Sequence, residues 1–348
     1  MTQARTDVTL CATFSRSNYM ARNLNLSQCI SEALTLEMQR DPSVLMIGED
    51  VGMQGGVFGA SRGLQKKFGK ERVIDTPISE SAFTGMAVGL ALEGYRPVIE
   101  IMFVDFIGVC LDQVYNAIAK NHYMSGGKVR MPIVIKTAGG CIGSGAQHSQ
   151  CLWGIFAHLP GLKVVAPSNP YDAKGLLASA VESDDPVVFI EHKGLLLKRA
   201  EEFTFGNEVP EDRYVVPLGK ANVVKEGKDI TLVTLSGTVA PALAASLSLA
   251  SSLDVEVIDL RSVVPLDIAT VAESVRKTGR LLVVDEDYLS FGLSGEIVAR
   301  LMEAGVGINK VRRLAVPDVP IPGARTLEEA VVPNEQSIRH ELELLGNK

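Results

Sequence analysis

Short apolar runs that alternate with helix-like stretches constrain the fold of this chain more than any other feature. Up to about residue 195 the apolar runs are VLMIGEDV, RVIDTP, RPVIEIMF, MPIVIKTAGG, LKVVAPS and PVVFIEHK. After residue 222 the alternation returns with ITLVTL, VEVIDL, RLLVVDE and KVRRLAV. Strands that alternate with helices predict parallel sheets covered by helices on both faces. We therefore predict an α/β protein with two doubly wound, mostly parallel-sheet domains.

The domain division follows from length and composition. A chain of 348 residues favours two domains over one core. Residues 198–222 are charged, contain two prolines and lack periodicity, so we interpret them as the connection. Residues 23–197 then form the first domain and residues 223–348 the second. Residues 1–22 lack periodicity too, which favours a disordered tail or a start codon placed too far upstream.

Several helices carry start signals. LSQCISEALTLEMQRDPS has apolar residues at helical spacing, with Ser27 as the predicted N-cap. Another helix opens after Pro77, and a long amphipathic helix is predicted over residues 106–125, FIGVCLDQVYNAIAKNHYMS. Further helices are predicted to begin at Asp172 and Asp267.

Charge and cysteine usage limit the partners and the compartment. A net charge of −7 argues against nucleic acid or an anionic membrane as the main partner. No apolar run reaches the roughly 18 residues that a membrane span needs. The five cysteines are dispersed without Cys-x-x-Cys spacing, which favours reduced thiols and predicts a cytoplasmic protein. They are Cys11, Cys29, Cys110, Cys141 and Cys151.

Glu80 lies at the N-terminal end of the predicted apolar, small-residue helix that follows Pro77. An ionised Glu is costly in apolar surroundings unless it is paired, or unless its pKa is raised for some purpose. The simpler explanation is an exposed first-turn acid that complements the helix dipole. The local sequence leaves both explanations open.

Four candidate residues follow predicted strands at their carboxyl ends, where ligands collect in sheets of this kind. They are Glu49 after VLMIG, Glu80 after VIDTP, Phe106 in the MFVDF segment after PVIEI, and His148 after PIVIKTAGG. Each has a structural explanation when taken alone, since acids and His are often solvated and Phe is usually core. Their convergence on one edge is what predicts a site.

Phosphate-binding and nucleophile motifs are missing from the sequence. The loop GCIGSGAQHS lacks the third glycine of the dinucleotide fingerprint, and G-x-x-x-x-G-K-[ST] does not occur. A G-x-S-x-G nucleophile elbow in a strand-to-helix context is also missing. The sequence therefore offers acid and base groups without a complete phosphate cradle.

A family resemblance rests on segments that follow one another in a fixed order. They are IGEDV, GVFGASRGL, VIDTPISES, IEIMFVDFIGVCLDQ, AKNHYMSGG, GAQHSQ, HLPGLKVVAPSNPYDAKGLL, DPVVFIEHK and VIDLRSVVPLD. Together they resemble the beta subunit of the thiamine-diphosphate-dependent decarboxylase component of 2-oxo acid dehydrogenase complexes. That family includes pyruvate, branched-chain 2-oxo acid and acetoin dehydrogenases within the transketolase group. The resemblance extends from about Leu26 to the C-terminus and implies a pyrimidine-binding domain followed by a transketolase C-terminal-like domain.

The resemblance implies catalytic roles for two of the candidates. Glu80 matches the Glu of the family's TPISE motif, which hydrogen-bonds N1′ of the coenzyme's aminopyrimidine and so activates the thiazolium ring. His148 matches the histidine of AQHSQ, which acts near the substrate and the transferred acyl group. A His suits proton transfer because its unperturbed pKa lies near working pH.

The resemblance also implies cofactor contacts. Phe106 matches an aromatic residue that packs on the pyrimidine, and Met102 matches a neighbouring apolar contact. Glu49 matches an acid beside the catalytic Glu, linked to a carboxylate-and-water route between paired active sites. The family often binds K⁺ through backbone carbonyls, and the matching positions are Ile133, Ala180, Ser183 and Asp185. Ser183 and Asp185 depart from the usual residues there.

Transketolase-type enzymes hold the diphosphate and Mg²⁺ with a GDG motif, which this sequence lacks. In the resembled family an alpha subunit binds both, which implies an active site shared within an α2β2 heterotetramer. The implied activity is decarboxylation of a 2-oxo acid, or cleavage of acetoin, with acyl transfer to lipoyl-lysine of an acyltransferase. IEIMFVDFIGVCLDQ and FIEHKGLL are more similar to acetoin dehydrogenase than to mammalian pyruvate dehydrogenase.

Two other functions stay open at this point. One is a self-sufficient ketolase of the transketolase or deoxyxylulose-phosphate synthase type, which the missing GDG disfavours. The other is a non-catalytic α/β interaction module.

For the second domain, we expect the acids Asp285, Glu286 and Asp287 to form an exposed surface that docks the acyltransferase electrostatically.

Overall fold

The computed structural model describes residues 22–347, and residue 348 and nearly all of the predicted tail (residues 1–21) lie outside the described residues. The strands of the described part are β1 (Val44–Gly48), β2 (Val73–Asp75), β3 (Arg96–Ile101), β4 (Val134–Gly139), β5 (Lys163–Val165), β6 (Val187–His192), β7 (Asn222–Lys225), β8 (Ile230–Thr234), β9 (Val255–Asp259), β10 (Ser262–Val264), β11 (Arg280–Tyr288) and β12 (Lys310–Val316).

Helices alternate with these strands along most of the chain. They are α1 (Leu26–Arg40), α2 (Leu64–Phe68), α3 (Glu80–Leu92), α4 (Asn121–Met124), α5 (Trp153–Ala157), α6 (Pro170–Glu182), α7 (Lys193–Leu196), α8 (Val239–Ser248), α9 (Ile268–Thr278), α10 (Leu293–Glu303), α11 (Arg325–Val331) and α12 (Glu335–Gly346).

The strands form two sheets that are mostly parallel, as predicted. The first has the order β10-β5-β6-β4-β3-β1-β2, and only β10 runs antiparallel to its neighbour. The second has the order β12-β11-β8-β9-β7, with β7 antiparallel at one edge. β7 and β10 are strands that the sequence analysis missed. β10 follows the second group of strands in the chain yet pairs with the first sheet.

One apolar cluster is continuous across both sheets. It includes Ile47, Ile99 and Ile190 of the first sheet and Val233 and Leu281 of the second. Two further clusters lie beneath α1 and α6 and beneath α8 and α12. The two sheets are therefore joined by buried apolar surface, while the division at residues 198–222 stays a prediction.

Two helix predictions were wrong. Residues 106–125 do not form one long helix: the chain makes a 3₁₀ segment at Val104–Val109, a π turn at Gln113–Ile118, and then α4. The Ser81 hydroxyl donates to the carbonyl of Val109 at 2.5 Å, so a tertiary contact takes an acceptor that a continuous helix would use itself. Asn25, and not Ser27, caps α1, because it forms a capping box with Gln28 while Ser27 is buried.

The cysteines and the helix lengths of the described part agree with the sequence-based expectations for thiols and membrane spans. Cys29, Cys110, Cys141 and Cys151 form no disulfide, and Cys11 lies outside the described residues. No helix between residues 22 and 347 is long and apolar enough to cross a membrane.

Candidate active site at the carboxyl edge of the first sheet

The strand order brings the candidate residues together. β4, β3, β1 and β2 are consecutive parallel neighbours, so their carboxyl ends form one continuous edge. Glu49 follows β1, Met102 follows β3, and the loop that carries His148 follows β4. Glu80 begins α3, five residues after β2. The edge predicted from the sequence is therefore present.

Glu80 is the first residue of α3, and its side chain is half-buried. The N-cap residue, Ser79, makes no side-chain capping bond. The exposed N–H groups of a first helical turn carry partial positive charge, which favours a carboxylate there. The dipole explanation therefore holds for Glu80, and it is compatible with the catalytic role, which stays a prediction.

Glu49 lies close to Glu80 and is perturbed by it. Burial raises the pKa of Glu49, the charge of Glu80 raises it further, and the backbone of Ser79 acts in the opposite direction. One carboxylate oxygen of Glu49, Oε1, is buried without a hydrogen-bond partner. A half-buried carboxyl group with one buried, unpartnered oxygen beside a second carboxyl group holds a proton more readily than a solvated one.

Aromatic rings line the same edge. The ring centroids of Phe103 and Phe106 are 5.3 Å apart, and His148 lies 5.2 Å from Phe103 and 5.4 Å from Phe106, all edge to face. Phe58, from the glycine-rich loop before α2, packs on Phe103 at 5.9 Å. The structure therefore joins predicted residues Phe106 and His148 in one cluster, and Met102 is half-buried beside it in sequence.

The loop of residues 140–150, which carries His148, is anchored from both sheets. The Gln150 side chain donates to Asp105 at 2.8 Å, and its main-chain N–H donates to the same oxygen at 3.3 Å. The Tyr288 hydroxyl, from β11, donates to the side-chain amide oxygen of Gln150 at 3.3 Å. The other Asp105 oxygen is buried and unpartnered.

A buried ionic triad lies under the site. Lys136 Nζ on β4 is 2.6 Å from Glu100 on β3 and 2.9 Å from Glu191 on β6. All three side chains are buried. Burial raises the pKa of Glu191 to about 7, Lys136 lowers it, and Glu100 raises it. One ammonium between two carboxyl groups leaves a proton that the triad can hold near neutral pH.

The acids expected to form an exposed docking surface are buried, so that expectation was wrong. Asp285, Glu286 and Asp287 are 0%, 4% and 6% exposed. They accept hydrogen bonds from the Trp153 indole at 3.0 Å, the Cys141 N–H at 2.8 Å and the Gly154 N–H at 3.1 Å, respectively. These carboxylates lie at the end of β11 and bind donors from the first-sheet region. These three acids therefore connect parts of the same chain and do not form a surface for a partner.

The residues predicted to bind potassium lie near one another, but their oxygens already have protein partners. They are Ile133, Ala180, Ser183 and Asp185. The carbonyl of Ile133 accepts from the Val187 N–H at 2.9 Å, and that of Ala180 accepts from the Ser183 N–H at 3.2 Å. Lys163 Nζ lies 3.0 Å from the Ser183 hydroxyl and 3.0 Å from the Asp185 carboxylate.

Arg96 supplies further positive charge there. Its guanidinium donates to the main-chain oxygens of Val181 at 2.8 Å, Glu182 at 2.8 Å and Ser183 at 2.7 Å. It also lies 3.1 Å from Asp184 Oδ1. Two protein cations therefore lie at Ser183 and Asp185, while the main-chain oxygens of Ile133 and Ala180 accept from backbone N–H groups, so this arrangement disfavours a bound cation.

Sequence reasoning missed three residues of this edge: Phe103, Asp105 and Lys193. Phe103 and Asp105 belong to the MFVDF segment, from which Phe106 and Met102 were chosen. Lys193 follows β6 directly and donates to the carbonyl oxygen of His148. The edge rule that singled out Glu49 and His148 would have found Lys193 had it been applied to β6.

Comparison with known families matches both halves of the chain. The transketolase pyrimidine-binding domain matches residues 22–198, and the transketolase C-terminal domain matches residues 219–338. Every candidate at the edge, from Glu49 to His148, lies within the first match.

Curated relatives cover nearly the whole chain. The beta subunit of acetoin:2,6-dichlorophenolindophenol oxidoreductase from Cupriavidus necator is 44% identical, over 92% of this chain and 96% of the relative. The beta subunit of the pyruvate dehydrogenase E1 component from Staphylococcus epidermidis is also 44% identical, over 90% and 96%. A mitochondrial pyruvate dehydrogenase E1 beta-2 subunit from Oryza sativa is 42% identical, over 91% and 85%.

Solved structures share the fold. A split-gene transketolase, an inactive beta4 tetramer, has a TM-score of 0.75 at 22% identity and covers 92% of this chain and 97% of that one. A transketolase from Leishmania mexicana has a TM-score of 0.67 at 18% identity, over 92% of this chain and 45% of that one. At these identities the likeness concerns the fold alone.

Proposed function

We propose that this chain, which belongs to the family of beta subunits of acetoin and pyruvate dehydrogenases, forms the pyrimidine-binding half of such an enzyme's active site. It carries the transketolase pyrimidine-binding and C-terminal domains. The substrate is a 2-oxo acid of the pyruvate type or acetoin, and the acyl group passes to the lipoyl-lysine of an acyltransferase. The observation that carries the proposal is the pair Glu49 and Glu80 beside the cluster of Phe103, Phe106 and His148.

The residues present fit the aminopyrimidine of thiamine diphosphate. A nitrogen heterocycle of this kind needs a carboxyl group at its edge and a flat apolar surface at its face. Glu80 at the start of α3 supplies the first, and the Phe106 region supplies the second. When bound, thiamine diphosphate supplies the carbon nucleophile and the electron sink for cleavage beside a carbonyl.

In this proposal side chains of this chain donate and accept the protons that the reaction moves. Glu80 donates to or accepts from a ring nitrogen of the coenzyme, while Glu49, whose pKa is raised by burial and by the charge of Glu80, lies beside it. Phe103 and Phe106 exclude water from the edge that His148 faces. His148, half-buried on the loop of residues 140–150, then supplies or removes a proton at the substrate.

The diphosphate and Mg²⁺ are assigned to an alpha subunit in an α2β2 heterotetramer, with a lipoyl-bearing acyltransferase as the further partner. The names of the relatives, which are beta subunits of multicomponent enzymes, support this assignment. Potassium is not part of the proposal, because Arg96 and Lys163 place positive charge beside Ser183 and Asp185, and the main-chain oxygens of Ile133 and Ala180 accept from backbone N–H groups.

Titration calorimetry with thiamine diphosphate and Mg²⁺ tests the proposal. We expect weak binding to the isolated chain and tight binding once the alpha subunit is added. Tight Mg²⁺-dependent binding to the chain alone would instead identify a self-sufficient ketolase. No binding by an assembled complex would identify a non-catalytic module. Turnover of pyruvate against acetoin by the complex, with an artificial electron acceptor, then assigns the substrate.

A further inference from the structure

Lys193 is a buried cation beside the candidate site. It follows β6 at the carboxyl edge, is 4% exposed, and donates to the main-chain carbonyl of His148. Its ammonium lies 5.1 Å from the ring centroid of Phe103, the ring on which His148 packs. Lys193 therefore contacts both His148 and the aromatic surface beneath it.

The surroundings of Lys193 differ from those of the two other buried lysines described here. Lys136 is paired with Glu100 and Glu191, and Lys174 is 2.5 Å from Glu32. Within residues 22–347 no carboxylate lies within ion-pair distance of Lys193. Burial lowers its pKa, and the more distant charges of Asp105 and Glu286 act in the opposite direction. A buried ammonium without a contacting carboxylate is costly, so the bond to the His148 carbonyl takes the place of the ion pairs that the other two lysines make.

The neighbouring residue secures the other end of the same loop. His192 Nε2 is 2.7 Å from Glu286 Oε2, and Glu286 Oε1 accepts the Cys141 N–H at 2.8 Å. Gly140 packs against the same imidazole, since a Cβ built there would lie 2.3 Å from His192 Nε2. The dipeptide of residues 192–193 thus secures the loop near both Cys141 and His148.

We propose that Lys193 is a positioning residue: its ammonium fixes the main chain of His148 and so holds the imidazole over Phe103 and Phe106 in the orientation that the reaction needs. Lys193 acts through His148 and does not itself touch the substrate. The catalytic part of this inference rests on the proposed function, whereas the ordering of the loop does not.

Hydrogen exchange on the full chain tests the ordering directly. Lys193→Met keeps the length and apolar stem but removes the donor, and we expect faster exchange of the amides of residues 143–149. Lys174→Met is the matched control, because Lys174 is also buried, donates to the main-chain oxygens of Pro210 and Glu211, and lies 5.4 Å from the Tyr214 ring. It should leave the loop unchanged. Unchanged loop exchange in Lys193→Met overturns the proposal.

A double-mutant cycle in the assembled enzyme tests the action through His148. We expect Lys193→Met to lower kcat about 10- to 100-fold, since small misplacements of catalytic groups cost up to about 10²-fold. In a His148→Ala background the same change should have almost no further effect. Lys193→Gln, which retains a donor, should keep more activity. If Lys193→Met lowers kcat equally in both backgrounds, the proposal is contradicted. If the wild-type complex does not bind the coenzyme, only the proposed function is contradicted.

Discussion

The indole Nε1–H of Trp153 donates a 3.0 Å hydrogen bond to the carboxylate of Asp285, and both residues are fully buried. Trp153 begins α5, which packs beside the first sheet, and Asp285 lies on β11 of the second. Burial raises the pKa of Asp285 to about 8, and the charge of Asp287 adds to the effect. Because the sequence contains one tryptophan, its fluorescence reports on this contact.

Charge reversal of the buried acids should unfold the protein. Lysines at positions 285, 286 and 287 would place ammonium groups where carboxyl groups now accept from Trp153, Cys141 and Gly154. Glu286 also pairs with His192 at 2.7 Å. Breaking one buried pair of this kind costs about 3–5 kcal/mol, so we expect loss of the cooperative thermal transition and a red-shifted tryptophan emission. Reversal of the exposed Glu303 and Glu273 is the control, with an expected change within about 0.5 kcal/mol. Native emission and stability in the triple variant would contradict this burial.

Glu80→Gln should abolish nearly all turnover while leaving the fold intact. The amide keeps the shape of the side chain at the start of α3 but cannot exchange the proton with the coenzyme. The expected loss in kcat of the assembled enzyme is at least roughly 10²-fold and up to roughly 10⁴-fold, as for other acid and base groups. Glu93→Gln, at the exposed C-terminal end of the same helix, is the matched control and should be neutral. Full activity in Glu80→Gln refutes the role assigned to it.

Glu191 predicts a pH dependence of stability. Its pKa is about 7 in the folded protein, above the 4.5 of an unperturbed Glu. Between these values the folded state binds more protons than the unfolded state, so the contribution of Glu191 to stability falls as pH rises. Glu191→Gln should remove this decline, because Lys136 keeps its pair with Glu100 at 2.6 Å.

Urea unfolding from about pH 5 to about pH 8 measures this difference between wild type and variant. We expect the stability of Glu191→Gln relative to wild type to increase with pH. Glu201→Gln, at an exposed position, is the control and should follow wild type. Parallel curves for wild type and Glu191→Gln would show that Glu191 is ionised in the folded protein throughout.

The sequence was informative where local pattern decides the structure. β12 follows the predicted run KVRRLAV from end to end, and Asp267 caps α9 as its side chain predicts, because strand runs and N-caps depend on neighbouring residues. Glu49, Glu80 and His148 were found because each follows a strand of the first sheet. A parallel sheet places such residues on one edge whatever their separation in the chain.

Residues whose state depends on distant partners were mispredicted. The pattern of residues 106–125 is helical, yet the Ser81 hydroxyl donates to the carbonyl of Val109, an acceptor that a continuous helix would use itself. The acidic end of β11 resembles a solvated rim until the donors Trp153 and Cys141 are placed against it. Neither set of partners is close in sequence, so hydrophobic periodicity carries no trace of them.

The protein's stability should be independent of potassium. Arg96 donates to the main-chain oxygens of Val181, Glu182 and Ser183, and Lys163 lies 3.0 Å from Asp185, so protein charges already satisfy this group of oxygens. The thermal midpoint should therefore be the same in potassium, sodium and choline chloride at equal ionic strength. A rise specific to potassium in the wild-type protein would contradict this assignment.

Substitution of Arg96 should create the dependence that the wild type lacks. Arg96→Met removes the guanidinium bonds to three carbonyls, which should cost about 2 kcal/mol or more, since hydrogen bonds to charged groups contribute about 1.5–3 kcal/mol each. The released oxygens are the hard ligands that a monovalent cation prefers, so potassium should restore part of the thermal midpoint in this variant. Arg130→Met is the matched control, because Arg130 is 71% exposed and pairs only with Asp184. It should change the midpoint little and show no response to potassium.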